Sequence, residues 1–147
     1  VHKRFRIPKS RIFLKKGQVL LFLKYSDYFY GEPTDKLIVV LNQPPNDEDY
    51  IIVLTTSKQR TFLDQLGCQT DCYLLGANQD CFKEKTWIVF KTTQYRSKKD
   101  LGGLIKKKRL IIKDRLDSTT VKYIVNCMEK STAIIAPKII KDLLNTQ

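Results

Sequence analysis

The chain has 147 residues, 42% of them hydrophobic and 10% aromatic, which suffices for one domain with a packed core and is too apolar for a disordered chain. Its 27 Lys and Arg against 15 Asp and Glu give a net charge of +12, which points to a polyanionic partner: RNA, DNA, an acidic protein or an anionic membrane surface. No apolar run approaches the roughly 18 residues of a membrane span, and no signal-like segment follows the first residues, so a cytoplasmic protein without a membrane anchor is expected.

Residues 1–14 form a basic arm in which Pro8 discourages a helix. Residues 1–16 hold seven Lys and Arg and no acid. Gly17 then punctuates the start of a buried strand, Val19 to Leu23. Residues 26–35 read as a loop with Gly31, Glu32 and Pro33. Its aromatics Tyr28, Phe29 and Tyr30 are of the kind that stack on bases or cover the end of a sheet.

Two runs, DKLIVVLN (35–42) and YIIVLTTSK (50–58), have the length and Ile/Val content of strands buried on both faces. The first is entered through Lys36. The second is left through Thr55, Thr56, Ser57 and Lys58. Neighbouring strands would bring a cation and hydroxyls together, an arrangement suited to phosphate.

Residues 59–67 suggest a helical turn stopped by Gly67, and 72–76 and 86–96 suggest two more strands. Residues 97–116 are basic and contain a Gly102-Gly103 hinge. The segment LIIKDRL within them is either a last strand or the lead into a helix. Asp117 or Ser118 caps a helix in which Val121, Ile124, Val125 and Met128 share one face. Pro137 opens a second helix striped by Ile139, Ile140, Leu143 and Leu144. The expected architecture is a single α+β domain over 1–147, a small curled antiparallel sheet or barrel, with a C-terminal helical segment over 117–147.

The chemistry narrows by elimination. There is no G-x-S-x-G elbow, no Walker loop and no G-x-G-x-x-G. The one histidine, His2, lies in the arm, which argues against histidine-based nucleases and Cys–His pairs. Cys68, Cys72, Cys81 and Cys127 lack paired C-x2-C spacing, so reduced thiols and neither metal nor cofactor are expected. What remains is a site of cations and hydroxyls. RNA carries its own nucleophile, the 2′-OH. A ribonuclease need only position it, move a proton and stabilise charge on the phosphate. Lys36, Thr56 and Ser57 suit the phosphate, and Glu32 suits the proton.

The order of segments resembles the MazF/PemK-type toxins, endoribonucleases of toxin–antitoxin pairs. KKGQVLLFL (15–23) resembles their first strand, with Gln18 where an acid usually sits. GEPTDKLIVVLN (31–42) resembles their loop and next strand, with Lys36 where the catalytic arginine usually falls and Leu37 where proline does. IIVLTTSK (51–58) matches the strand that ends in Thr-Ser, at Thr56 and Ser57. TWIVFKTTQYRSKKDLGGLI (86–105) resembles their later strand through Gln94 and Arg96. The resemblance implies an SH3-like barrel, a homodimer and an acidic antitoxin partner. It also implies metal-independent cleavage of single-stranded RNA by 2′-OH attack, with Lys36, Thr56, Ser57 and Glu32 as catalytic candidates. Lys58, Arg60, Lys91, Arg96, Tyr28 and Tyr30 are candidate RNA contacts. The alternative is a non-catalytic nucleic-acid-binding or protein-interaction module of the same fold.

Overall fold

The alternation of side chains along a strand gives each apolar run two inward faces. A computed structural model describes residues 13–26, 32–45, 48–58, 65–79, 81–131 and 134–146. In it the two central runs are strands β2 (Thr34–Val40) and β3 (Tyr50–Thr56), paired antiparallel with Val39 opposite Val53. Val39, Ile51 and Val53 enter one core, and Ile38, Val40, Ile52 and Leu54 enter another on the opposite face. Sequence alternation thus builds one sheet with a core on each side.

Strand β1 (Gln18–Tyr25) flanks β2. Beyond β3 lie β4 (Gly67–Cys68), β5 (Cys72–Leu75) and β6 (Thr86–Val89), and β7 (Gln94–Arg96) pairs with the first half of β3. Strand β8 (Leu110–Arg115) closes the order β4-β5-β6-β3-β2-β1-β8 at the other edge. The eight strands make an open antiparallel sheet, so of the two architectures expected, curled sheet and barrel, the chain adopts the sheet.

Helix α1 (Lys98–Lys106) covers one face through Leu101, Leu104 and Ile105. Helices α2 (Ser118–Lys130) and α3 (Pro137–Asn145) cover the other through Val121, Ile124, Val125, Met128, Ile139 and Leu143. Asp117 caps α2 by accepting from the Thr119 N–H at 2.8 Å, and Pro137 occupies the first turn of α3. No helix among the described residues is long and apolar enough to cross a membrane.

Two expectations need correction. The Gly102-Gly103 stretch is not a hinge but the middle of α1, whose start is set by Ser97 accepting from the Asp100 N–H at 3.0 Å. The spacing Ser-x-x-Asp before an apolar run is a helix-start signal that outweighs two glycines here. The run 86–96 is two strands, because a 3-10 turn at Phe90–Thr92 (η1) breaks it. Gly67 opens β4, and most of the helical turn expected over 59–67 lies outside the described residues.

The thiols also differ from expectation. Cys68 on β4 and Cys127 on α2 form a disulfide with their Cα atoms 5.5 Å apart, while Cys72 and Cys81 remain thiols. The two ends were far apart in sequence, and only the packing of α2 against β4 brings them into range.

Two details fix the frame around the central strands. Gly17 sits at φ +91°, and a Cβ there would lie 3.0 Å from the Leu116 carbonyl oxygen. Its N–H donates to Val40 and its carbonyl accepts from Leu116, so it joins β2 to the start of α2. Buried Asn42 accepts from the Ile51 N–H at 2.7 Å and donates to the Asp49 carbonyl at 3.2 Å, closing the β2–β3 connection.

Candidate functional site

At the far ends of β2 and β3 the sheet opens into a cleft of about 690 Å³. Its wall includes Lys36, Thr56, Ser57 and Lys58, so four of the residues singled out in the sequence share one site. The register explains how. The β2–β3 ladder runs from Val40 opposite Ile52 to Ile38 opposite Leu54, and the strand ends beyond it carry Lys36 and Leu37 on β2 and Thr55 and Thr56 on β3. The Thr55 hydroxyl donates to the Leu37 carbonyl at 2.9 Å, tying the two strands together at this point.

Each hydroxyl has a distinct situation. That of Thr55 is buried and committed to β2. That of Thr56 accepts from the Lys58 N–H at 3.1 Å, which bends the chain at the strand end and leaves its proton available to a ligand. Ser57 and Lys58 are exposed, and Lys36 is half-buried. Lys36 forms no ion pair with any described residue, so its charge is available to an anion.

The cleft also collects residues that the sequence reading passed over. Lys83 lies in the turn before β6 and Lys113 on β8. Lys113 is the extra residue of a bulge, because Val19 pairs with Asp114 and Leu20 with Ile112. Bulges re-aim a side chain and recur beside binding sites; no local sequence signal marked this one. Carboxylates line the wall as well: Asp35, Glu84 and Asp114. Asp35 accepts from the Lys24 N–H at 3.0 Å and Asp114 from the Arg115 N–H at 2.7 Å. Trp87, opposite Thr56 on β6, is buried with no acceptor for its Nε1–H among the described residues.

Other candidates fall elsewhere. Glu32 is exposed ahead of β2 and does not line the cleft. Arg96 pairs with Tyr50 at the opposite end of β3, roughly 20 Å from Thr56 along the strand. There it holds Asp100 at 2.6 Å and covers the Phe22 ring, so it anchors α1. Lys91 is exposed on η1, outside the cleft. Tyr28, Tyr30 and Arg60 lie outside the described residues. Among the described residues no group of three or more His, Cys, Asp or Glu gathers to hold a metal ion.

A second cleft, of about 700 Å³, lies between the β2–β3 connection and α3. The Tyr95 hydroxyl donates to Asp142 Oδ2 there, and Lys138 sits 5.6 Å from the centre of the Tyr95 ring. These contacts dock α3 onto β7. Burial, followed by the bond to Asp142 and its charge, pushes Tyr95 up to about 12 from its usual 10. A raised tyrosine favours the folded state while protonated, and that contribution is complete below pH 10 and lost as pH rises through 12. Thermal melts from pH 9 to 12 should therefore fall more steeply for the native chain than for Tyr95→Phe. Parallel curves would mean that the hydrogen bond contributes nothing to the pH dependence.

Compared with known proteins, the sequence matches no family model and no curated protein.

Proposed function

We propose that the chain is a metal-independent endoribonuclease of the MazF/PemK-like type that binds and cuts single-stranded RNA in the cleft at the ends of β2 and β3. The observation that supports this best is the gathering of Lys36, Thr56, Ser57 and Lys58 on the wall of one cleft. An ammonium and hydroxyls around one point suit a phosphate whose charge grows during reaction.

In the proposed step the 2′-oxygen bonds to phosphorus and the bond from phosphorus to the 5′-oxygen breaks. The products are a 2′,3′-cyclic phosphate and a 5′-hydroxyl. Lys36, Thr56 and Ser57 hold the non-bridging oxygens. Glu32 stands outside the cleft, so the 2′ proton goes to Glu84 on its wall, and water protonates the departing oxygen. The partners that accompany this reading are a second copy of the chain and an acidic antitoxin protein, which the net charge of +12 would attract. The proposed location is the cytoplasm, where thiol reductants act against the Cys68–Cys127 bond.

The test is incubation of the protein with a mixed-sequence single-stranded RNA in EDTA. New fragments ending in cyclic phosphate are the expected result. Salt-sensitive binding without product after hours would replace the enzyme with a non-catalytic RNA-binding module. One observation favours that second reading: Asp35 and Asp114 already accept backbone bonds, which leaves Glu84 as the cleft's one carboxylate without such a bond among the described residues.

A further inference from the structure

The end of β1 is irregular in a way that places an aromatic ring next to Lys36. Phe22 pairs with Lys36 and Tyr25 with Thr34, so β1 uses one residue more than β2 between those two pairs. Side chains alternate along a strand. In a regular β1 the place two residues beyond Phe22 would go to Lys24, and Tyr25 would stand on the opposite face. The bulge reverses this. Tyr25 packs beside Phe22 with ring centroids 5.1 Å apart and planes at 84°, and it joins the core that α1 covers. Thr34 and Lys36 are two residues apart on β2 and share that face. Tyr25 is therefore the diagonal neighbour of Lys36, at the roughly 7–8 Å spacing that aromatic and long side chains bridge.

The bulge is held from several sides. Lys24 lies at φ 53°, a left-handed conformation that a lysine adopts at a cost. Its N–H donates to the Asp35 carboxylate at 3.0 Å, and the Arg109 guanidinium donates to the carbonyls of Leu23 and Lys24 at 3.4 and 3.2 Å. The Phe22 ring is fixed in turn: the Arg96 guanidinium lies 5.7 Å from its centroid, and Asp100 holds that guanidinium at 2.6 Å. Tyr25 itself is half-buried. The edge-to-face contact leaves at least one face of its ring uncovered by Phe22. Among the described residues that ring meets no other ring and no cation.

We propose that Tyr25 stacks on the base of the nucleotide whose phosphate Lys36 holds. This rests on the reading of Lys36 as a phosphate partner and adds the group that orients the nucleotide. A phosphate contact alone lets the strand pivot about it. A ring against the base removes that freedom and holds the 2′-oxygen and the phosphorus in one arrangement. An aromatic face serves every base, so Tyr25 carries little sequence preference. A base is open to it only when unpaired, so the site takes single strands over duplex.

The experiment is fluorescence anisotropy with two short labelled 2′-O-methyl strands, which lack the free 2′-OH and are not cut. One carries mixed bases and the other is abasic throughout. The wild type should bind the base-bearing strand about tenfold more tightly than the abasic one. Tyr25→Leu, which keeps an apolar side chain against Phe22, should abolish that preference and leave abasic binding unchanged, whereas Tyr25→Phe should retain it. Equal affinity of the wild type for both strands would overturn the proposal. So would a preference that survives Tyr25→Leu, or equal weakening of both strands by it, which would make Tyr25 a packing residue only. Tyr25→Trp keeps the test open if the leucine variant unfolds: its larger ring should widen the preference, and an unchanged preference counts against stacking. Lys36→Ala addresses the level below and should weaken both strands alike. Weakening of neither would sink the phosphate reading and Tyr25 with it, whereas weakening of both, with a base preference that outlives Tyr25→Leu, sinks the stacking alone.

Discussion

Replacing Lys36 by alanine is expected to slow the proposed cleavage of single-stranded RNA on the order of 100- to 1,000-fold with little change in thermal stability. The size follows from removing one preorganised group that meets charge developing on the phosphate. Stability should hold because Lys36 is half-buried and forms no ion pair among the described residues. Lys36→Arg should keep or raise activity, since a guanidinium offers a planar fork to the same oxygens. Thr56→Ala should also be slow, and Thr56→Ser should recover most of the rate by restoring the hydroxyl that takes the Lys58 N–H. In the proposed reaction both act on one phosphate from the wall of one cleft, and the double variant should lose less than the product of the single losses. Single-turnover cleavage of a labelled RNA in EDTA measures all five. Wild-type rates in both alanine variants would move the chemistry out of this cleft.

The pairing behind that expectation was partly legible in the sequence. Two runs of Ile and Val with buried-strand composition, joined by a short polar connection, had to be neighbours or near neighbours. The polar groups at their ends therefore had to fall at one end of the sheet. The distance between Lys36 and Thr56 was not legible, because a one-residue change of register would have put them on opposite faces. Lys83 and Lys113 were invisible for a related reason. A cation in a turn or at a bulge reads as solvated surface until tertiary pairing shows what it faces. Helix α1 is a different case: Ser97 and Asp100 carried its start signal, and the glycines that suggested a hinge were tolerated because Leu101 packs on the sheet. Arg96 misled through its segment. Its place in a strand pattern was right, but β7 pairs with the beginning of β3 and carries it to the wrong end.

Reduction of the Cys68–Cys127 bond is expected to lower the melting temperature by about 10 °C while leaving the proposed RNA cleavage at its original rate below the new transition. The two cysteines are 59 residues apart, and the bond encloses β5, β6, β7, α1 and β8. Closing a loop of that length restricts the unfolded chain by about 4 kcal/mol. For a chain of this size each kcal/mol moves the melting point by about 2–4 °C. Cys68→Ser is the clean variant, because Cys68 is exposed and its loss opens no cavity, whereas Cys127 is buried. That variant should melt with the reduced protein and ignore added reductant. A melting point within 2 °C of the oxidised protein would show that the bond restrains little. Activity should survive for a separate reason. Lys36, Thr56, Ser57 and Lys113 are carried on or just beyond β2, β3 and β8, which are held to one another by their own ladders and by a core on each face. The disulfide instead fastens α2 to β4 at the opposite edge of the sheet from β8. Loss of cleavage in step with loss of the bond, well below the melting transition, would mean that the β4 edge shapes the cleft after all, through the chain that leaves it at Lys58.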